Sequence, residues 1–312
     1  MTGHVSSKKY PARGILLITL GTVFISTVPI FSKIVLRTMS SAHFSFFWMC
    51  FGLFYTIVFT FIVGAKKTLA GIVREWRYML AAGTSAFVWV FFAFAGIKRL
   101  DPTVSIIFFN MRGVWGVLIG LTLLHERYSK IQYTGMAVIL GGLALNLIDA
   151  GTPDEILGSI MTIVASLAYA TTNSFIKRFI KRSGVVPALY ARFVLPVLAF
   201  LVVGLSTGLS FEAIDGRTFA LLATGAFIGP FLSFVMIFSS LKYLDLGVQT
   251  FFQSASLFIT AILSYLVFAS IPSPLQIAGG VIVITGMIVM SLPELRRRSA
   301  VAPTAETGGS DQ

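Results

Sequence analysis

Apolar runs separated by short polar segments dominate this chain. Ten of them reach the roughly 20 residues that a helix needs to cross hydrocarbon: 12–36, 42–64, 77–97, 102–124, 131–149, 156–180, 186–207, 217–239, 244–268 and 274–292. Polar residues inside the runs recur with a helical period. In span one, Thr22, Ser26, Pro29 and Lys33 fall at i, i+4, i+7 and i+11. Thr162, Ser166, Tyr169 and Asn173 repeat the spacing in span six, and Gln249, Gln253, Ser256 and Thr260 repeat it in span nine. Such spacing lines one face of a helix. A polar face in a membrane helix looks at other helices or at water, not at lipid. For the Ser and Thr residues, helix–helix hydrogen bonding is a sufficient role. Tyr169, Asn173, Gln249 and Gln253 point to a cavity, because amides are costly to leave unpaired in hydrocarbon. The pattern predicts an all-α integral membrane protein with ten transmembrane helices.

The chain also matches itself. A shift of 144 residues, with no gap, sets Gly14 on Gly158, Phe31 on Phe175 and Lys33 on Lys177. The same shift sets Lys98 and Asp101 on Lys242 and Asp245, and Gln132, Gly135 and Gly142 on Gln276, Gly279 and Gly286. Each half holds five spans. An odd number makes the second half enter the membrane from the opposite side, giving an inverted repeat with its substrate site near the midplane. The expected units are 12–149 and 156–292, followed by a polar, disordered cytoplasmic tail over 293–312.

Composition narrows the class further. With 56% hydrophobic and 12% charged residues and a mean hydropathy of +0.88, the chain is too apolar for a soluble domain. The net charge of +12 sits in short clusters between apolar runs, which suits an anionic membrane surface and not nucleic acid. With the N-terminus inside, seventeen Lys and Arg fall in cytoplasmic segments and four outside. That bias predicts both termini in the cytoplasm of a cell whose inner or plasma membrane holds the protein. The first span, long and without a small-residue cleavage site, reads as retained. The lone cysteine, Cys50, excludes a disulfide framework and a cysteine zinc site. His4, His43 and His125 lie too far apart along the spans to converge as an enzyme centre, and no Gly-x-x-x-x-Gly-Lys loop is present to bind ATP. No cofactor is expected.

Three cations lie within spans: Lys33, Arg112 and Arg192. Arg112 is near the middle of span four, where a charge costs about 2.5–3.5 kcal/mol on insertion scales. Its guanidinium fork matches a carboxylate or phosphate. The competing role is a tie to backbone carbonyls at helix ends between the halves. Asn110, two residues away, is about 200° around an unbroken helix and should not share the Arg112 face. Lys33 either snorkels to the headgroups or stands at a cavity mouth. Trp89 lies mid-span, away from both interfaces, and could stack a planar part of a substrate. Pro29, Pro196 and the Gly229–Pro230 pair interrupt spans one, seven and eight. Asp101 followed by Pro102 reads as a helix start.

Two stretches carry a family resemblance: "HERYSKIQYTGMAVILGG" at 125–142 and its second copy "PSPLQIAGGVIVITG" at 272–286. They resemble the drug/metabolite transporter superfamily, EamA type: a Glu at the end of span four, a polar turn, a Gln, then spaced glycines. The likeness extends over about 14–292. It departs at Ser270, where Glu126 has no acidic counterpart; at Gly113, in place of a span-four proline; and at Trp48, in place of an arginine that Arg192 keeps in the second half. The resemblance implies secondary transport, often export, of amino acids or other small metabolites. The expected cargo is a small anionic or zwitterionic molecule, such as a carboxylate, moved by alternating access. Phosphorylated metabolites and nucleotide sugars, or a lipid flippase or channel, are the alternatives. The expected binding residues are Lys33, Trp89, Asn110, Arg112, Tyr169, Asn173, Gln249 and Gln253.

Overall fold

The computed structural model describes residues 12–64, 72, 74–123, 128–208, 214–244 and 246–299. The expected tail from residue 300 onwards, Glu126 with its neighbours His125 and Arg127, and Asp245 lie outside these residues.

Ten helices long and apolar enough to cross a membrane follow one another: Ala12–Leu36, Ser41–Val63, Trp76–Arg99, Pro102–Thr122, Lys130–Asp149, Pro153–Lys177, Val185–Ser206, Gly216–Ser240, Phe251–Phe268 and Pro274–Pro293. They are spans one to ten below. The last continues through Pro293 to Ser299, seven residues past its expected end. Side chains such as Phe61, Ile62, Ile148 and Leu266 are at least 70% exposed, an outer surface that only lipid would cover without penalty.

Local chemistry sets many of the helix starts. Asp101 accepts from Thr103 N at 2.8 Å, with Pro102 at the first helical position of span four. Ser129 and Gln132 form a capping box at span five. Their repeat counterparts Ser273 and Gln276 make the same reciprocal bonds at span ten, each 3.1 Å long.

Four spans are interrupted. Span one breaks between Ile25 and Val28, just before Pro29, and Thr260 of span nine donates to the carbonyl of Ser26 left at the break, at 3.0 Å. Span eight widens into a π-helix over Phe227–Ser233, which contains Pro230. Span four breaks between Phe109 and Arg112, and span nine between Ser254 and Ser256. These last two breaks are 144 residues apart, so the repeat extends to them.

Packing follows the same symmetry. Spans five and ten pair with each other, as do two and seven, and four and nine; three packs on six as one packs on eight. Every pairing maps onto itself or onto its counterpart when the halves are exchanged. Glycines hold the contacts close. A Cβ on Gly14 would lie 2.7 Å from Tyr243 Cβ, and one on Gly158 would lie 2.9 Å from Arg99 Cβ, the residue equivalent to Tyr243. In the five–ten pair, a Cβ on Gly135 would meet the Gly286 carbonyl at 2.7 Å, and one on Gly279 would meet the Gly142 carbonyl at 2.8 Å. Small residues at matched heights let two membrane helices approach backbone to backbone. The fold is therefore ten membrane helices in two inverted five-helix repeats, and the breaks of spans four and nine meet where the repeats join.

Candidate functional site

Between those breaks and spans three, six, seven and eight lies a cluster of rings and cations. Trp89 of span three and Tyr169 of span six meet edge to face at 5.4 Å. Phe109, at the break of span four, contacts Tyr169 at 5.1 Å and Trp89 at 6.3 Å. Phe234 of span eight closes the group 6.5 Å from Tyr169. A guanidinium flanks each side. Arg112 stands over Phe109 and Tyr169 at 5.4 and 5.7 Å. Arg192 stands over Phe234 and Trp89 at 3.4 and 4.7 Å. A desolvated cation on a ring face gains about 2 kcal/mol, which offsets part of the penalty of burying it.

The two cations differ in what else they have. Arg112 is 8% exposed and donates from one terminal nitrogen to Asn110 Oδ1 and to the Gln253 carbonyl, both at 3.2 Å. The tie to a backbone carbonyl across the halves, one of its two expected roles, is thus in place. Arg192 is 0% exposed, and none of its three guanidinium nitrogens has a hydrogen-bond partner among the described residues. No Asp or Glu lies in the interior of any span, so neither charge has an acidic neighbour within the membrane.

Of the residues expected at a site, Trp89, Arg112 and Tyr169 belong to this cluster, and Asn110 and Gln253 join it through Arg112. The expectation that Asn110 and Arg112 point apart is corrected: the 100° step applies to an unbroken helix, and the break between them lets Arg112 reach the Asn110 side chain. Asn173 is half-buried one helical turn from Tyr169. Lys33 and Gln249 are elsewhere. The Lys33 ammonium donates to the carbonyls of Ile97, Lys98 and Leu100 at 3.1, 2.9 and 2.7 Å, which occupies all three protons at the end of span three. Gln249 donates to the Ile237 carbonyl at 2.6 Å and to the Ser240 hydroxyl, closing the end of span eight. Both are helix caps, not members of the cluster.

The polar stripes divide similarly. Thr22, Ser26, Thr162 and Ser166 bond to carbonyls one turn back in their own helices. Sequence reasoning missed Arg192, Phe234 and Phe109 as site residues. Arg192 was visible as an intramembrane cation, but its place near one end of span seven made Arg112 look the more central.

A model of the EamA-like transporter family matches the chain twice, over residues 12–148 and 156–292. The riboflavin transporter ImpX of Fusobacterium nucleatum is 23% identical over 197 residues, which are 61% of this chain and 66% of that protein. Crt homolog 2 of Dictyostelium discoideum is 27% identical over 111 residues, 32% of this chain and 22% of that protein. The chain thus spans less than two thirds of the length of either relative. One chain of known crystal structure shares the fold, with a TM-score of 0.69 and 16% identity, covering 92% of this chain and 99% of that one.

Proposed function

Since this chain belongs to the EamA-like transporter family and crosses the membrane ten times, we propose that it is a secondary transporter of a small organic anion, anchored by Arg192 at the ring cluster and carried by alternating access. The observation that carries the proposal is the Arg192 guanidinium, fully buried and without an acceptor among the described residues. A buried unpaired charge is strongly destabilising, and a carboxylate on the planar fork would supply both the opposite charge and two acceptor oxygens. Trp89, Tyr169 and Phe234 offer ring faces to the rest of the cargo. Hence a carboxylate with a planar or apolar body, such as an aromatic amino acid, fits the site.

The span interiors hold no carboxylate for a proton relay, which favours exchange or movement down a gradient. Export is the direction that the family resemblance suggests, and the cytoplasmic placement of both termini rests on the distribution of Lys and Arg. A second reading has a specific observation behind it: the ImpX relative is a riboflavin transporter, and four clustered rings would also suit a neutral flavin.

Thermal stabilisation of the purified protein separates these readings. The panel is tryptophan, tryptamine, phenylpyruvate, riboflavin and riboflavin 5′-phosphate. The anion reading predicts stabilisation by the carboxylates and not by tryptamine, lost in Arg192→Gln. Stabilisation by riboflavin alone, unchanged in Arg192→Gln, would overturn it.

A further inference from the structure

Among the described residues, eleven buried side-chain polar atoms have no partner, and six of them, all donors, gather at the ring cluster. Arg192 contributes all three guanidinium nitrogens, Arg112 its Nε, Asn110 its Nδ2 and Trp89 its Nε1; the hydroxyl of Ser256 is unpaired as well. Arg192, Arg112, Asn110 and Trp89 come from spans seven, four and three and converge on the ring cluster. Each unpaired buried donor is costly, so a native site with this many calls for a ligand rich in acceptors. One carboxylate offers two oxygens and one charge, and Arg192 alone takes both.

Two of the remaining donors, Arg112 Nε and Asn110 Nδ2, lie on the Arg112 side. Among the described residues, Arg112 has only neutral acceptors, Asn110 Oδ1 and the Gln253 carbonyl, and its Nε has none. Tyr169 separates the two cations: its ring contacts Phe234 and Trp89, which carry Arg192, and it lies directly under Arg112. We infer that the cargo carries two separated anionic groups, one for Arg192 and one for Arg112, joined by a planar or apolar segment lying against Tyr169. This rests on the anion reading given above and narrows it to dianions. The second anionic group would meet Arg112 Nε and Asn110 Nδ2. Ser256 occupies the position in span nine equivalent to Arg112 in span four, at the matching break.

The test is calorimetric titration of the purified full chain with rigid probes that share one ring: benzoate, isophthalate, terephthalate and phenyl phosphate. A second neutralised arginine should improve affinity about a hundredfold, the penalty for one unpaired arginine on insertion scales converted at tenfold per 1.4 kcal/mol. Isophthalate or terephthalate should therefore bind about a hundredfold more tightly than benzoate. Arg112→Gln should reduce that ratio to near unity, and Arg192→Gln should remove binding of both classes. Equal affinity for benzoate and both dicarboxylates would overturn the two-anion inference while leaving the anion reading intact. So would tighter binding of phenyl phosphate than of either dicarboxylate, since its two charges sit on one group. Binding of none of the four probes would overturn both. Should Arg112→Gln fail to fold, the wild-type ratio and Arg112→Lys, which keeps the charge but loses the fork, still decide the matter.

Discussion

Arg192 rests on Phe234 and Trp89 with no acceptor among the described residues, whereas Arg112 is held by Asn110 and a carbonyl of span nine. The difference has a stability consequence. Replacing a buried, unpaired charge by an apolar side chain of similar volume removes a desolvation penalty. Arg192→Leu should therefore raise the melting temperature of the ligand-free protein, by an amount equivalent to about 1–3 kcal/mol, while abolishing anion binding. A lowered melting temperature with binding retained would show that Arg192 is a structural residue. Lys33 should behave in the opposite way. Its ammonium closes three carbonyls at the end of span three, so Lys33→Met should destabilise the protein and leave cargo affinity unchanged, as read by melting and titration on the same sample. Sequence alone marked both residues as intramembrane cations. It could not separate them, because what differs is the set of oxygens within reach: three carbonyls at the end of span three for Lys33 and, among the described residues, none for Arg192.

At the scale of helices, the five–ten pair is the clearest case of structure legible in sequence. Gly135, Gly142, Gly279 and Gly286 recur at the 144-residue offset, and each backs onto a carbonyl of the partner helix. Gly142→Val should force the pair apart, since its Cβ would lie 2.6 Å from the Gly279 carbonyl; about 1–3 kcal/mol or more is expected. Gly286→Val should cost a comparable amount because its surroundings are the repeat image. Gly141→Ala, with nothing within 4 Å of its new methyl, should be nearly neutral. Melting curves of the three variants check this, and a neutral Gly142→Val would contradict the close approach. The break in span one was also legible, through Pro29. The breaks at Asn110–Met111 and at Ala255 were not: neither contains proline or glycine. They arise where spans four and nine cross, with Arg112 bonded to the carbonyl at the facing break. A tertiary contact of this kind leaves no periodic trace. For the same reason the angular separation of Asn110 and Arg112, calculated for a straight helix, did not hold.

At the scale of the molecule, two inverted halves meet at an arginine-and-ring cluster, with paired helices exchanged by the repeat around it. If both termini lie in the cytoplasm, as proposed from the distribution of Lys and Arg, Thr207 should face outward and Ser183 the cytoplasm. In a Cys50→Ser background, an impermeant maleimide applied to intact cells should label Thr207→Cys and spare Ser183→Cys; the reverse pattern would invert the topology. The proposed transport by way of Arg192, enclosed on all sides here, requires that it be reached by water from each membrane face in turn. The most direct test is Arg192→Cys in the Cys50→Ser background, treated with an impermeant anionic methanethiosulfonate in right-side-out and in inside-out vesicles. Alternating access to a cargo site predicts labelling from both faces. No labelling from either face in native membranes, with full labelling after denaturation, would mean that residue 192 is sealed in the core and is no part of a transport path.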